Sequence, residues 1–310
     1  MLLLLTHAAL ANPVVNGEIE EGYESVVGLG VPWGDTPIHV CTGTLITPRV
    51  ILSAGHCTAD YPIDTVVALG RAFVGTTEAD ATAVLEFTDG AVHPDYELNE
   101  NPFYVHYDVA VLVLGEDAPM DPTFVRFDAV GDDALGTELY AVGYGLDERD
   151  RSGTRRGAPM VLDRMSDEFL LFDLENGEPN TCNGDSGGPY FAFNETGRPV
   201  QWGITSWGDA NCRVLAGAQR IDYVSEFVLD HVEAVHGTRD LCVAGGWHDD
   251  DVCDDDICPD DPACLDPVDT GDTGLGDDDS GRCGGCAAGG LAGGAWWVLL
   301  GLVWVRRRAD

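Results

Sequence analysis

The chain has 310 residues, and its ionic balance is lopsided: 16 arginines and no lysine face 54 acidic residues, for a formal net charge of −38. A polyanion of this kind repels nucleic acid and anionic lipid headgroups, which excludes nucleic acid as a partner. With 45% hydrophobic residues the chain can bury a sizeable core, either as one large all-β domain with appendages or as two average domains.

The first eleven residues form a short apolar run ending in the small-residue pattern Ala9-Leu10-Ala11. Too short to span a bilayer, they read as a signal peptide, which leaves Asn12-Pro13 as a two-residue propeptide. From residue 14 to 239, short β-branched and apolar runs recur between turn signals. They fall at 26–31, 40–46, 50–53, 65–69, 83–87, 109–114, 139–142, 200–206 and 215–221. Strands at this spacing predict an all-β sandwich or pair of barrels. Residues 222–235 read as a helix, because Tyr223, Phe227, Val228 and His231 recur at steps of three to four.

Past residue 239 the composition changes. Residues 240–281 carry fifteen aspartates and no arginine, and predict an acidic, cysteine-containing linker. Its run at 249–261 is similar to calcium-binding thrombospondin-type repeats, since clustered carboxylates suit a hard cation; a solvated spacer is the alternative. Residues 282–310 then combine Cys283-Gly284-Gly285-Cys286, an uncharged stretch at 287–305 and Arg306-Arg307-Arg308. At ~1.5 Å per residue the uncharged stretch just spans a hydrocarbon core of roughly 30 Å, with the arginines on the cytoplasmic side. This tail resembles the myxobacterial-type C-terminal sorting tail (MYXO-CTERM), which implies export and tethering at the cell surface or outer envelope. A redox Cys-x-x-Cys is the alternative reading of Cys283 and Cys286.

Chemistry is concentrated in three segments. They are Ala54-Gly55-His56-Cys57, then Tyr107-Asp108-Val109-Ala110-Val111-Leu112, and Gly184-Asp185-Ser186-Gly187-Gly188-Pro189. A serine hydroxyl attacks an amide only if an imidazole accepts its proton and a carboxylate fixes the imidazole tautomer. His56, Asp108 and Ser186 offer that set. Their motifs and order resemble the trypsin/chymotrypsin family over residues 14–235.

The resemblance implies two six-stranded antiparallel β-barrels with a C-terminal helix, and a serine endopeptidase that needs no cofactor or metal. It implies His56, Asp108 and Ser186 as the triad, and the amides of Gly184 and Ser186 as the oxyanion hole. It also implies the bridges Cys41–Cys57 and Cys182–Cys212, and a substrate cleft formed by Asn180, Ser206, Trp207, Gly208 and Gly217. Polypeptide substrates and a monomer are expected.

Two features depart from trypsin itself. Asn180 stands at the pocket base where selection of basic P1 residues needs a carboxylate, so a neutral P1 residue is expected. Gly208 and Gly217 are expected to leave the pocket walls open. Val14-Val15-Asn16-Gly17 resembles a mature N-terminus whose amine pairs with Asp185, yet no basic cleavage site precedes it. The competing readings are a catalytically silent binding module on the same fold and a calcium-dependent surface adhesin.

Overall fold

The computed structural model describes residues 14–34, 37–59, 61–98, 105–247 and 258. The expected signal peptide, propeptide, span and sorting tail lie outside the described residues, as do Cys253, Cys264, Cys283 and Cys286. By backbone contacts the chain divides into Met1–Asp266 and Pro267–Asp310, and only the first unit contains described residues.

Six strands close into an antiparallel barrel. In hydrogen-bonded order they are Val26–Val31, Ile38–Thr47, Val50–Ser53, Ala110–Leu114, Ala83–Val92 and Arg71–Val74. Side chains alternate across each strand, so Val27, Leu29, Leu45, Ile51, Ala72, Val74, Leu112 and Leu114 meet in one buried cluster. Each large aliphatic side chain so buried contributes about 1.5–3 kcal/mol.

The second half is a nine-stranded sheet. Its path runs Glu18–Ile19, Arg156–Val161, Glu138–Gly143, Pro189–Phe193, Pro199–Gly208, Leu215–Arg220, Phe169–Asp173 and Arg164–Met165. Phe124–Val125 adds to Pro199–Gly208 in parallel. Leu139, Met160, Leu170, Phe172 and Tyr190 form its core. The hydrogen-bonded path does not close among the described residues, so closure of the expected second barrel is not seen in the pairing.

A 3-10 turn, Asp222–Val224, leads into the helix Ser225–His236, close to the expected bounds. Val224, Phe227, Val228 and Val232 face one cluster with Val50, Leu52, Val109 and Val111, which pins the helix to the barrel. Gly237, at φ 74°, ends it in the left-handed conformation that a residue without Cβ adopts freely.

Two expectations need correction. Residues 65–69 are not a strand but part of the helix Ile63–Leu69. Ile63, Val66 and Val67 follow helical spacing and pack on the barrel core, so packing overrides the β-propensity of the valines. The folded domain also continues past residue 239. Asp240 caps the helix Leu241–Gly245 by accepting from the amides of Cys242 and Val243. Cys242 bonds Cys258, and buried Trp247 stacks on Phe124 with ring centroids 3.9 Å apart. Trp247 and Cys258 pack with Phe124 in one buried cluster, and the disulfide ties Cys258 back to the helix that begins this segment.

Candidate active site

Strand pairing brings the imidazole and carboxylate together. Val50–Ser53 and Ala110–Leu114 are antiparallel with Ser53 opposite Ala110, so His56 and Asp108 leave the same end of the pair. The Asp108 carboxylate is fully buried, and three donors offset its desolvation. His56 Nδ1 lies 2.8 Å from Oδ2, the His56 amide lies 2.8 Å from Oδ1, and the Ser206 hydroxyl donates to Oδ2. An Nδ1–H that donates to Asp108 leaves Nε2 as the basic nitrogen.

Further contacts fix the Asp108 turn, and no motif announces them. The Asp108 amide donates to Gln219 Oε1 at 2.9 Å. Glu168 accepts from the Tyr107 amide and pairs with His106 Nδ1 at 2.9 Å. Tyr107 has φ 50°, a left-handed conformation unfavourable for an aromatic residue, and the Glu168 carboxylate holds its amide there.

Ser186 sits in a turn bounded by Gly184 and Gly187, with φ 96° and 84°. A Cβ on Gly187 would overlap Ser53 Oγ and the Thr42 carbonyl, so only glycine lets this turn press against the barrel. Thr42 donates its amide to the Ser186 carbonyl at 2.8 Å, and Gly187 donates to Thr205 at 2.8 Å. The Ser186 carbonyl also lies 3.6 Å from Cys57 Sγ, while a ring nitrogen of His56 lies within 4.8 Å of the same sulfur. Serine backbone and imidazole therefore flank one disulfide. Among the described residues, neither the Gly184 nor the Ser186 amide donates to a protein acceptor.

The expected bridges Cys41–Cys57 and Cys182–Cys212 are formed. Loops of these lengths each add about 3 kcal/mol. The grouping of Cys41, His56 and Cys57 is no metal site, since both sulfurs are committed to the bridge.

Asn180 is fully buried, and its amide nitrogen lies 3.5 Å from the Leu215 carbonyl. Its Oδ1 has no hydrogen-bond partner. Gly208 is exposed at the end of its strand. The Trp207 indole lies against Gly217 and fills the space a Cβ would take. Trp207 also meets Phe169 edge-on at 5.9 Å.

Val14 is 1% exposed, and Val15 bridges to Asn180. Asp185 is fully buried and accepts from the amides of Gly145 and Cys182 at 2.8 Å each. Burial pushes its carboxyl up to about 6, against the pull of those two amides and of His39.

The family model described as Trypsin matches residues 21–228. Brachyurin of Leptuca pugilator is 29% identical over 187 residues, covering 56% of this chain and 77% of that protein. The trypsin-like protease of Streptomyces glaucescens is 28% identical over 189 residues, covering 56% of this chain and 66% of that one. Serine proteinase stubble of Drosophila melanogaster is 28% identical over 233 residues, covering 64% of this chain but only 28% of its own length. The chain belongs to the trypsin family of serine endopeptidases.

Proposed function

We propose that the chain hydrolyses peptide bonds through an acyl-enzyme on Ser186. One observation carries the reading: the buried Asp108 carboxylate takes both the backbone and the ring of His56, which fixes the tautomer that a serine nucleophile needs. In the forward step Ser186 Oγ bonds to the scissile carbonyl carbon while its proton passes to His56 Nε2. The carbonyl π electrons move onto oxygen, and the unengaged amides of Gly184 and Ser186 stabilise the oxyanion. Collapse breaks the C–N bond, and His56 gives its proton to the leaving amine. Water, deprotonated by the same nitrogen, then releases the acyl group.

The substrate backbone adds as a strand along Ser206–Gly208. At the pocket base Asn180 carries no charge to neutralise a cation, and its unpartnered Oδ1 favours a neutral P1 side chain that donates a hydrogen bond. The Trp207 indole on Gly217 favours one of modest size.

Release of Val14 as a free amine supplies Asp185 with a cation and orders the pocket. Buried Val14 and the Val15–Asn180 bridge support this step. The leader at 1–11 and the apolar stretch at 287–305, read as an export signal and an anchor, make this a surface-tethered enzyme on a two-barrel fold. A peptide-library digest of the chain starting at Val14 tests the proposal, with Ser186→Ala as control. Cleavage after neutral residues that the control abolishes is expected. Failure of Ser186 to react with a fluorophosphonate, or a profile of Arg and Lys, refutes the corresponding part.

A further inference from the structure

A second carboxylate–imidazole pair lies behind the oxyanion turn. Glu78 Oε1 is 2.8 Å from His39 Nδ1, and both side chains are buried, at 3% and 6% exposure. His39 Nε2 lies 3.1 Å from the Gly184 carbonyl, and Thr42 Oγ donates to that same oxygen at 2.9 Å. The two ring nitrogens of His39 thus face two oxygens, one of the Glu78 carboxyl group and one of the Gly184 carbonyl.

The site is built around this carboxylate. A Cβ on Gly28 would overlap the Glu78 carboxyl group, and one on Gly153 would stand 3.1 Å from its Oε2. The Glu78 amide donates to the Gly153 carbonyl at 2.9 Å. Stability alone is a poor reason for this arrangement, because a buried polar pair contributes little net free energy compared with apolar packing. Gly184, which it clamps, is the backbone residue least able to hold itself: at φ 96° with no Cβ, its peptide groups keep one orientation only if neighbours fix them.

We propose that Glu78 is a positioning residue for the oxyanion hole. Acting through His39, it clamps the Gly184 carbonyl and thereby holds the Gly184 and Ser186 amides where the developing oxyanion forms. The inference rests on the peptidase reading. That reading is checked separately by turnover in the wild-type enzyme and its loss in Ser186→Ala.

The test uses the full chain processed to Val14, with the best library peptide as a 4-nitroanilide, as an aldehyde and as a plain amide. The aldehyde adds Ser186 and places an oxyanion in the hole, whereas the amide binds without one. Glu78→Ala and His39→Ala should each lower kcat roughly ten- to a hundredfold with KM within twofold, the scale of a displaced catalytic group. Aldehyde affinity should fall in parallel while amide affinity holds. The double variant should be no worse than either single one, because both act through one hydrogen bond. Glu78→Gln should recover most of kcat: its amide can donate to Nδ1 and leave an Nε2–H for Gly184.

Unchanged kcat in Glu78→Ala, equal loss of aldehyde and amide binding, or additive losses in the double variant would overturn the proposal. If Glu78→Ala does not fold, His39→Ala and Glu78→Gln decide by the same readouts. Full kcat in the first or a tenfold loss in the second overturns it.

Discussion

Asp185 makes the pH dependence of stability report on the state of the N-terminus. In the intact chain Val14 carries an amide nitrogen, and Asp185 has no ion-pair partner among the described residues. Burial raises its carboxyl from the ordinary 3.8 to about 6. The folded state then binds this proton more tightly than the unfolded state. Its contribution to stability is full below pH 3.8 and is lost as pH rises through about 6. Each tenfold change in proton affinity is worth roughly 1.4 kcal/mol, so the loss is about 3 kcal/mol. The many other carboxylates would mask this in a single protein, so the quantity to measure is a difference. Urea unfolding of the intact chain, carrying Ser186→Ala to prevent autolysis, is compared with the same chain carrying Asp185→Asn at pH values from 3.5 to 7.5. The difference in unfolding free energy between them should shrink by about 3 kcal/mol across that range. A chain starting at Val14 should behave oppositely, because an ammonium paired with Asp185 as proposed favours the charged carboxylate, and the difference then grows with pH. A flat difference in the intact chain, or the same slope in both forms, would refute the reasoning.

Other outcomes follow from the same geometry. Asp108→Asn should cut kcat by roughly 10⁴-fold with little change in KM, since the amide favours the wrong imidazole tautomer; steady-state kinetics checks this. Ser206→Ala removes one of three donors to the Asp108 carboxylate, an interaction worth about 1.5–3 kcal/mol, and should lower kcat by tenfold or more. Asn180→Asp should move the library profile toward Arg at P1; an unmoved profile would show that Asn180 does not face the P1 side chain. Trp247→Ala should lower the unfolding free energy by about 3–5 kcal/mol, and replacing Cys242 and Cys258 with serine by about 3 kcal/mol, both read from urea melts. If residues 240–247 were a bare linker, neither change would register.

The parts of the site that were legible in the sequence are those where chemistry dictates a residue type inside a short motif. His56, Asp108 and Ser186 each sit beside residues whose small size or apolar alternation is itself required. Gly187 must be glycine against Ser53, and Val109 to Leu114 must be apolar inside the barrel. The C-terminal helix is legible in the sequence because Phe227 and Val228, spaced for one face, are the side chains that face buries. Residues 65–69 are ambiguous in the sequence because β-branched propensity and helical spacing coexist there, and only the barrel wall beside Ile63 and Val66 decides between them. Strands such as Arg156–Val161 and Pro189–Phe193 carry a weak sequence signal because their glycine and prolines suggest turns.

What stayed hidden is the set of side chains that hold the motifs in place. Gln219 reaches the Asp108 amide across 111 positions, Glu168 reaches Tyr107 across 61, and Glu78 reaches His39 across 39. A buried polar contact between distant residues leaves no local trace, since its free energy depends on both partners being desolvated together. These three side chains have one feature in common: each is polar and buried in a position that apolar packing could have filled. Replacing them with apolar residues would orphan the amides of Asp108 and Tyr107 and a ring nitrogen of His39, and would leave the Asp108 turn and the Gly184 turn free to relax. The sequence motif thus names the reacting atoms, while these buried polar side chains determine whether the atoms meet at reacting distance.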